Sequence, residues 1–290
     1  MKIFSGTSNR PLAEKIAKRL NLELSPLEIH EFPDGEKRVR LGESVVGQEC
    51  IVVQSTGTPV SENYMELFFI TDALKRSGAK EVAAVVPYMG YQRQDHVFRS
   101  GEARSFAIIV ETLQAVGVSR LVTFDLHSIK IPELFKIPVS HLSAFPLFAS
   151  LIKKNKWDDS DTVLVSPDMG GIRRVEKLSE ILGNLPVVII EKDRNLETGE
   201  ISPGKIRGVV RSRAIILDDM ISTGKTLVQA VQLLEKNGAE EIVVFATHPV
   251  FSVDAHKILE AAPINVIYVT DTINVPKEKQ FPRLEIISIA

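Results

Sequence analysis

Two adjacent carboxylates, Asp218 and Asp219, are followed by a loop of small hydroxyl residues, Ser222-Thr223-Gly224-Lys225-Thr226. The four apolar residues before the acids, Ala214 to Leu217, are too few for a helix and suit a strand covered on both faces. Leu227, Val228, Val231 and Leu234 then recur at helical spacing. Strand, acids, loop and helix together present hydroxyls, backbone N–H groups and a helix N-terminus, the equipment of a phosphate site. A nucleoside-triphosphate P-loop is excluded by spacing, because Asp219 stands where that motif needs its first glycine. Two acids at a strand tip would also repel a triphosphate. They suit a sugar diol or a metal ion, with the loop holding one terminal phosphate.

Other polar clusters follow apolar strands in the same way. Asp168 lies in Ser166-Pro167-Asp168-Met169-Gly170-Gly171 and His127 in Asp125-Leu126-His127, one in each half of the chain. A carboxylate and a neutral imidazole could bind a divalent cation, and Mg2+ keeps several waters besides one or two protein ligands. Read singly, each is equally a helix cap or a satisfied polar side chain. Gly170 and Gly171 let backbone amides approach an anion at a helix N-terminus, with Arg173 and Arg174 adding charge. Arg93-Gln94-Asp95, after Pro87-Tyr88, could hold a nucleotide phosphate and ribose or be a charged exposed turn. Lys192 and Arg194 lie in a charged stretch, 191–204, that lacks apolar anchors. It is either a solvated loop or a lid whose cations fold over a phosphate.

The elements that must position these groups alternate along the chain. The first half predicts strands at 2–4, 27–30, 37–41, 49–54, 82–86 and 121–124, with helices at 11–20, 61–77 and 103–116. The second half repeats the pattern, with strands at 162–165, 187–190, 214–217, 241–246, 266–270 and 284–289 and helices at 145–154, 172–182, from 227 onward and at 253–260. Such alternation argues for an α/β fold of mostly parallel sheets flanked by helices. An internal echo supports duplication: the helix end, glycine and strand of 73–82 recur at 233–242. The seam falls between 136 and 146, giving domains 1–145 and 146–281, with a C-terminal strand at 282–290 able to join the first. Ligands of such sheets bind beyond the carboxyl ends of strands, and every cluster above sits at one.

Composition narrows the class. A chain of 290 residues is about two domains' worth. Lys plus Arg (35) nearly balances Asp plus Glu (37), so no global field points to nucleic acid or membrane. The single Cys50 excludes an intrachain disulfide. No apolar run approaches the ~20 residues of a membrane span, and the chain opens into a strand without a signal sequence. The expectation is a cytoplasmic enzyme.

Taken in order, Phe32-Pro33-Asp34-Gly35-Glu36, Pro87-Tyr88 through Arg93-Gln94-Asp95, Asp125-Leu126-His127, Ser166 to Gly171 and Asp218 to Thr226 resemble the ribose-phosphate pyrophosphokinase family across nearly the whole chain. The resemblance implies two similar type I phosphoribosyltransferase-like domains. It also implies Mg2+-dependent transfer of a diphosphoryl group from ATP to ribose 5-phosphate, giving AMP and phosphoribosyl pyrophosphate. On that likeness Asp218 and Asp219 hold the ribose hydroxyls and metal, and Ser222, Thr223, Gly224, Lys225 and Thr226 cradle the 5-phosphate. Asp168, Gly170 and Gly171 form the pyrophosphate loop, and His127 and Asp168 hold Mg2+. Arg93, Gln94, Asp95 and His127 contact ATP. Phe32, Asp34 and Glu36 contact adenine from a neighbouring subunit, implying a homo-oligomer, at least a dimer. Lys192 and Arg194 match the family's catalytic loop.

There are departures. Ser222 stands where the family commonly has Asp, and Lys225 where it has a small residue. The chain is also shorter than many members, which leaves open the regulatory site for phosphate and ADP. The rival readings are a phosphoribosyltransferase, which needs one such domain, and a silent regulatory subunit, against which the retained Asp218, Asp219, Lys192, Arg194 and His127 argue.

If Lys192 and Arg194 neutralise transition-state charge, replacing either with Ala lowers kcat by about a hundredfold and changes ligand binding far less. Steady-state rates set beside equilibrium binding check this; unchanged turnover would return the stretch to a solvated surface.

Overall fold

The computed structural model describes residues 1–97, 99–191 and 204–290, and the chain divides into two units. The first comprises Met1–Leu142 with Thr272–Asn274 and Ser288–Ala290, and the second Ser143–Asp271 with Val275–Ile287. The expected boundary after residue 145 lies three positions beyond Leu142. Among the described residues no helix is long and apolar enough to cross a membrane.

The first unit runs β1 (Lys2–Ser5), α1 (Arg10–Arg19), β2 (Leu27–Glu31), β3 (Lys37–Leu41), β4 (Glu49–Val53), α2 (Val60–Arg76), β5 (Glu81–Val85), α3 (Ser105–Ala115), β6 (Arg120–Phe124) and β7 (Val139–Leu142). Its main sheet has the order β1-β4-β5-β6-β7, every neighbouring pair parallel. Leu24 bridges Ile3 on the far side of β1, so the order reverses between β1 and β4. Asn9 caps α1, its side chain accepting from Leu12 N–H, and Pro11 occupies the first turn. Tyr64, Leu67, Phe68, Thr71 and Leu74 bury one face of α2 against the sheet. β2 and β3 form a separate antiparallel hairpin. Leu27, Ile29, Val39 and Leu41 pack it onto the same core, while His30, Arg38 and Arg40 between them face water.

The second unit runs α4 (Phe145–Lys154), β8 (Thr162–Ser166), α5 (Ile172–Ile181), β9 (Val187–Glu191), β10 (Lys205–Arg207), β11 (Arg213–Ile221), α6 (Lys225–Lys236), β12 (Glu241–Pro249), α7 (Ala255–Ala261), β13 (Val266–Thr270) and β14 (Leu284–Ile287). Its sheet order is β10-β9-β8-β11-β12-β13-β14, with β10 antiparallel on the edge. Here the order reverses between β8 and β11, the kind of crevice where open α/β sheets receive ligands. Ala214 and Ile216 face the core shared with α6 and α7, and Ile215 and Leu217 the core shared with α4 and α5. That two-sided burial explains the apolar run ahead of the acids.

Three expectations change. β11 is a nine-residue strand whose pairing with β12 continues through Asp218, Met220 and Ile221, whereas β8 stops opposite Ile216. The acids are therefore part of the strand and do not follow its tip. The strand of 284–287 pairs with β13 and stays with the second unit, because Leu284 and Ile287 pack on its two cores. β7 forms at 139–142, inside the stretch taken as the seam, since a strand of four exposed or half-buried residues gives no clear alternation.

Phe245 is fully buried, stacked on Tyr268 with ring centroids 4.9 Å apart and tilted against Phe148 at 5.1 Å. Phe245→Ala should cost the second unit about 3–5 kcal/mol, read as an earlier denaturant midpoint. Val209→Ala, at a position 79% exposed, should change it by less than about 0.5 kcal/mol.

Candidate functional site

In the second unit the polar groups gather at the carboxyl ends of β8 and β11. After β8, the Ser166 hydroxyl donates to Asp168 O at 2.7 Å, and Asp168 Oδ1 accepts from Gly171 N–H at 3.0 Å. Asp168 thereby caps the turn that opens α5. A Cβ on Gly171 would stand 2.6 Å from Ser166 Oγ, so the tight turn demands glycine there, whereas at Gly170 the space is less restrictive. With one oxygen of Asp168 committed to the cap, the other is available to a ligand.

Asp219 is buried and Asp218 half-buried. Arg174, on the first turn of α5, reaches both: Nη2 lies 3.0 Å from Asp219 Oδ1 and 3.8 Å from Asp218 Oδ1. The sequence suggested Arg174 as charge for an anion. Its position on the first turn of α5 instead returns it to the acids as their counter-ion. Burial is the first cause pushing the Asp218 carboxyl well above the usual range, followed by the Asp219 carboxylate; Arg174 opposes the shift and Asp168 adds to it. Arg174 is thus a counter-ion shared by both acids. An all-oxygen donor set of carboxylates suits a hard cation or the hydroxyls of a diol. Among the described residues no group of three or more His, Cys, Asp or Glu side chains is arranged as a metal cluster, and Mg2+ needs only one or two such ligands.

β11 then turns through Ser222-Thr223-Gly224 into α6. Gly224 has φ +76°, and a Cβ there would come within 3.2 Å of Leu259, so left-handed backbone and close packing both favour glycine. Thr223, Lys225 and Thr226 are exposed at the helix N-terminus. The loop is braced from the side. Ser222 Oγ and Ser252 Oγ share a hydrogen bond at 3.0 Å, Ser252 N–H donates to Ser222 O at 3.1 Å, and Phe251 N–H donates to Ile221 O at 3.0 Å. Nothing in the amino-acid sequence marks Ser252, a lone serine after β12. Only the parallel pairing of β11 and β12 brings it beside the loop.

The first unit holds the remaining candidates. After β5, Gly90 N–H donates to Thr56 Oγ1 at 2.8 Å, and a Cβ on Gly90 would stand 2.3 Å from Val60 Cγ1. Gln92 is buried, and its Oε1 accepts from His127 N–H at 3.0 Å, tying the loop after β5 to the one after β6. Arg93 and Gln94 are exposed, Asp95 is half-buried, and the His127 ring faces outward. Gln92, one position before the triplet, was absent from the expected set. Its burial is a tertiary fact.

Phe32, Asp34 and Glu36 stand on the exposed turn of the β2–β3 hairpin, where Asp34 Oδ1 accepts from Glu36 N–H at 3.2 Å. Lys192 and Arg194 lie outside the described residues. The second unit therefore brings together Asp168, Asp218, Asp219 and Ser222 to Thr226, and the first brings Arg93, Gln94 and Asp95 to His127.

A family model described as the N-terminal domain of ribose phosphate pyrophosphokinase matches residues 1–117, and one described as the phosphoribosyl synthetase-associated domain matches residues 161–290. Proteins named ribose-phosphate pyrophosphokinase from Thermotoga maritima and Caldanaerobacter subterraneus are 39% and 41% identical to the chain, across its whole length and 91% of theirs. The crystal structure of phosphoribosylpyrophosphate synthetase from Mycobacterium smegmatis matches with a TM-score of 0.94, covering 99% of this chain and 94% of that one at 35% identity.

The raised Asp218 carboxyl has a measurable consequence. The folded protein holds that proton more tightly than the unfolded chain, so ionising Asp218 works against the fold. The penalty is absent below the ordinary carboxylate range near about 3.9 and grows as pH rises through the raised value. In metal-free buffer at pH 7, Asp218→Asn should melt about 2–4 °C above the parent, with the gap closing towards pH 4. A gap of the same size at both pH values would show that charge is not its cause.

Proposed function

The chain belongs to the ribose-phosphate pyrophosphokinase family and is a diphosphokinase enzyme; from that premise we propose that it moves the β,γ-diphosphoryl group of ATP onto the C1 hydroxyl of ribose 5-phosphate. The observation that carries the reading is the adjacent acid pair, half-buried Asp218 and buried Asp219, placed beside a braced hydroxyl loop at a helix N-terminus. That arrangement suits a sugar phosphate: carboxylates accept from ribose hydroxyls, while Thr223, Thr226 and the amides of the loop donate to the 5-phosphate. Lys225 adds a cation to the loop, and Ser222, held by Ser252, keeps its shape.

In the proposed reaction the ribose C1 oxygen attacks the β-phosphorus. The bond from that phosphorus to the oxygen bridging to the α-phosphate breaks, AMP leaves with that oxygen, and the hydroxyl proton passes to solvent. Such phosphoryl chemistry needs positioning and charge neutralisation more than a strong base. Asp168, Gly170 and Gly171 are assigned to the pyrophosphate product. Arg93, Gln94 and Asp95 orient ATP, His127 joins them, and Phe32, Asp34 and Glu36 receive adenine from a neighbouring subunit. The reading accordingly includes a homo-oligomer, at least a dimer, in the cytoplasm. Asp168 in the second unit and His127 in the first are each assigned to Mg2+, which would supply neutralising charge to the diphosphoryl oxygens. Lys192 and Arg194 keep the transition-state role that the family likeness gives them.

Purified protein incubated with ATP, ribose 5-phosphate and Mg2+ should yield AMP and a diphosphorylated sugar in equal amounts. A chelator should abolish this and added Mg2+ restore it. Appearance of ADP in place of AMP would overturn diphosphoryl transfer, and absence of turnover would favour a silent subunit.

A further inference from the structure

The crevice of the first unit that corresponds by topology to the β8–β11 reversal lies between β1 and β4, and it is filled from within. Glu66 of α2 is completely buried there. Its carboxylate accepts from Thr7 N–H at 2.6 Å, the Thr7 hydroxyl at 2.9 Å and the Gln54 side-chain amide at 2.9 Å. Gln54 Oε1 in turn accepts from the Ser8 hydroxyl at 2.7 Å. A Cβ on Gly6 would stand 2.2 Å from Gln54 Oε1 and 2.9 Å from Glu66 Oε1, so the loop after β1 is shaped to this buried acid. The cation that completes the set is Lys37, with Nζ 3.1 Å from Glu66 Oε2 and 13% of its side chain exposed. Buried charge persists only when paired and hydrogen-bonded, and both conditions are met here.

Lys37 is the first residue of β3, directly after the hairpin turn. It sits opposite Glu31 in the register, and Phe32 N–H donates to Glu36 O at 2.8 Å. Fixing Lys37 therefore fixes the turn that displays Phe32, Asp34 and Glu36. The apolar side chains beneath the hairpin adhere without a preferred direction; the ion pair supplies direction. Phe32 is itself held in place, its ring meeting His30 edge-to-face at 4.7 Å and lying 5.7 Å from the Arg38 guanidinium, yet it is 37% exposed.

We propose that Lys37 and Glu66 are positioning residues for nucleotide recognition: their buried ion pair anchors the hairpin so that Phe32, Asp34 and Glu36 stand where the adenine is received. This rests on the reading of the hairpin as the adenine contact. In the crevice where its sister unit presents acids to a ligand, the first unit uses its acid as an internal strut.

The test compares steady-state constants of the full-length enzyme. Lys37→Met raises the KM for ATP about tenfold, while kcat and the KM for ribose 5-phosphate stay within about twofold. Lys37→Arg, which keeps the charge, recovers most of the loss. Glu66→Gln matches Lys37→Met; if it fails to fold, the two lysine variants carry the test. Phe32→Ala is measured beside them. If it raises the ATP KM and Lys37→Met does not, the positioning proposal is overturned while the adenine reading stands. If neither changes it, both fall. Equal losses in kcat and in both KM values, in step with a lowered Tm, would make the pair merely structural and also overturn the proposal.

Discussion

β11 and β12 continue past the end of β8, and the rest of the second unit's site answers to that overhang. A strand that outruns its neighbour exposes backbone and side chains to a crevice while one edge stays paired. Asp218 and Asp219 are carried into that crevice on rigid backbone, where their mutual repulsion is costly. Arg174 offsets part of it from the start of α5, and the same short turn that sets Arg174 sets Asp168. The overhang of β12 brings Ser252 alongside the hydroxyl loop. Acids, counter-ion and hydroxyl loop are thus consequences of one difference in strand length.

The two units use one topology for opposite ends. Each has a reversal of strand order, at β1 and β4 in the first and at β8 and β11 in the second. In the second, Asp218 and Asp219 share Arg174, and burial, then the neighbouring Asp219 carboxylate, holds the Asp218 carboxyl well above its usual range. In the first, Glu66 meets Thr7, Gln54 and Lys37 and its charge is offset inside the fold. An acid crowded by burial and a neighbouring acid costs the fold stability, whereas one met by a cation and several donors ties segments together. The hairpin depends on the second kind of acid, and sugar-phosphate recognition is assigned to the first kind.

Much of this was legible along the chain. Strand and helix periods, the glycine-capped echo, and polar clusters following apolar runs are local properties, so alternating α/β units and the candidate residues could be read directly. Boundaries that depend on partners could not. The extension of β11 beyond Leu217 requires β12 to pair with residues that are polar in sequence, and β7 has no periodic signature. Arg174 was visible as a charge, but its assignment to the acids needed the turn at Gly171. Ser252, Gln92 and the Lys37–Glu66 pair join positions distant in sequence, and each residue alone is unremarkable.

By itself, then, the sequence determined the repeating unit, the residue types at the strand ends and the family resemblance, because these rest on local spacing and on motifs in order. The tertiary structure decided which cation stands beside which acid and how deeply each acid is buried. That depends on what lies within about 3–4 Å of a carboxylate in a low-dielectric setting, and chain order does not encode that distance. Asp218 and Glu66 are both acids beside a strand end. The first shares Arg174 with Asp219, and the second meets Lys37.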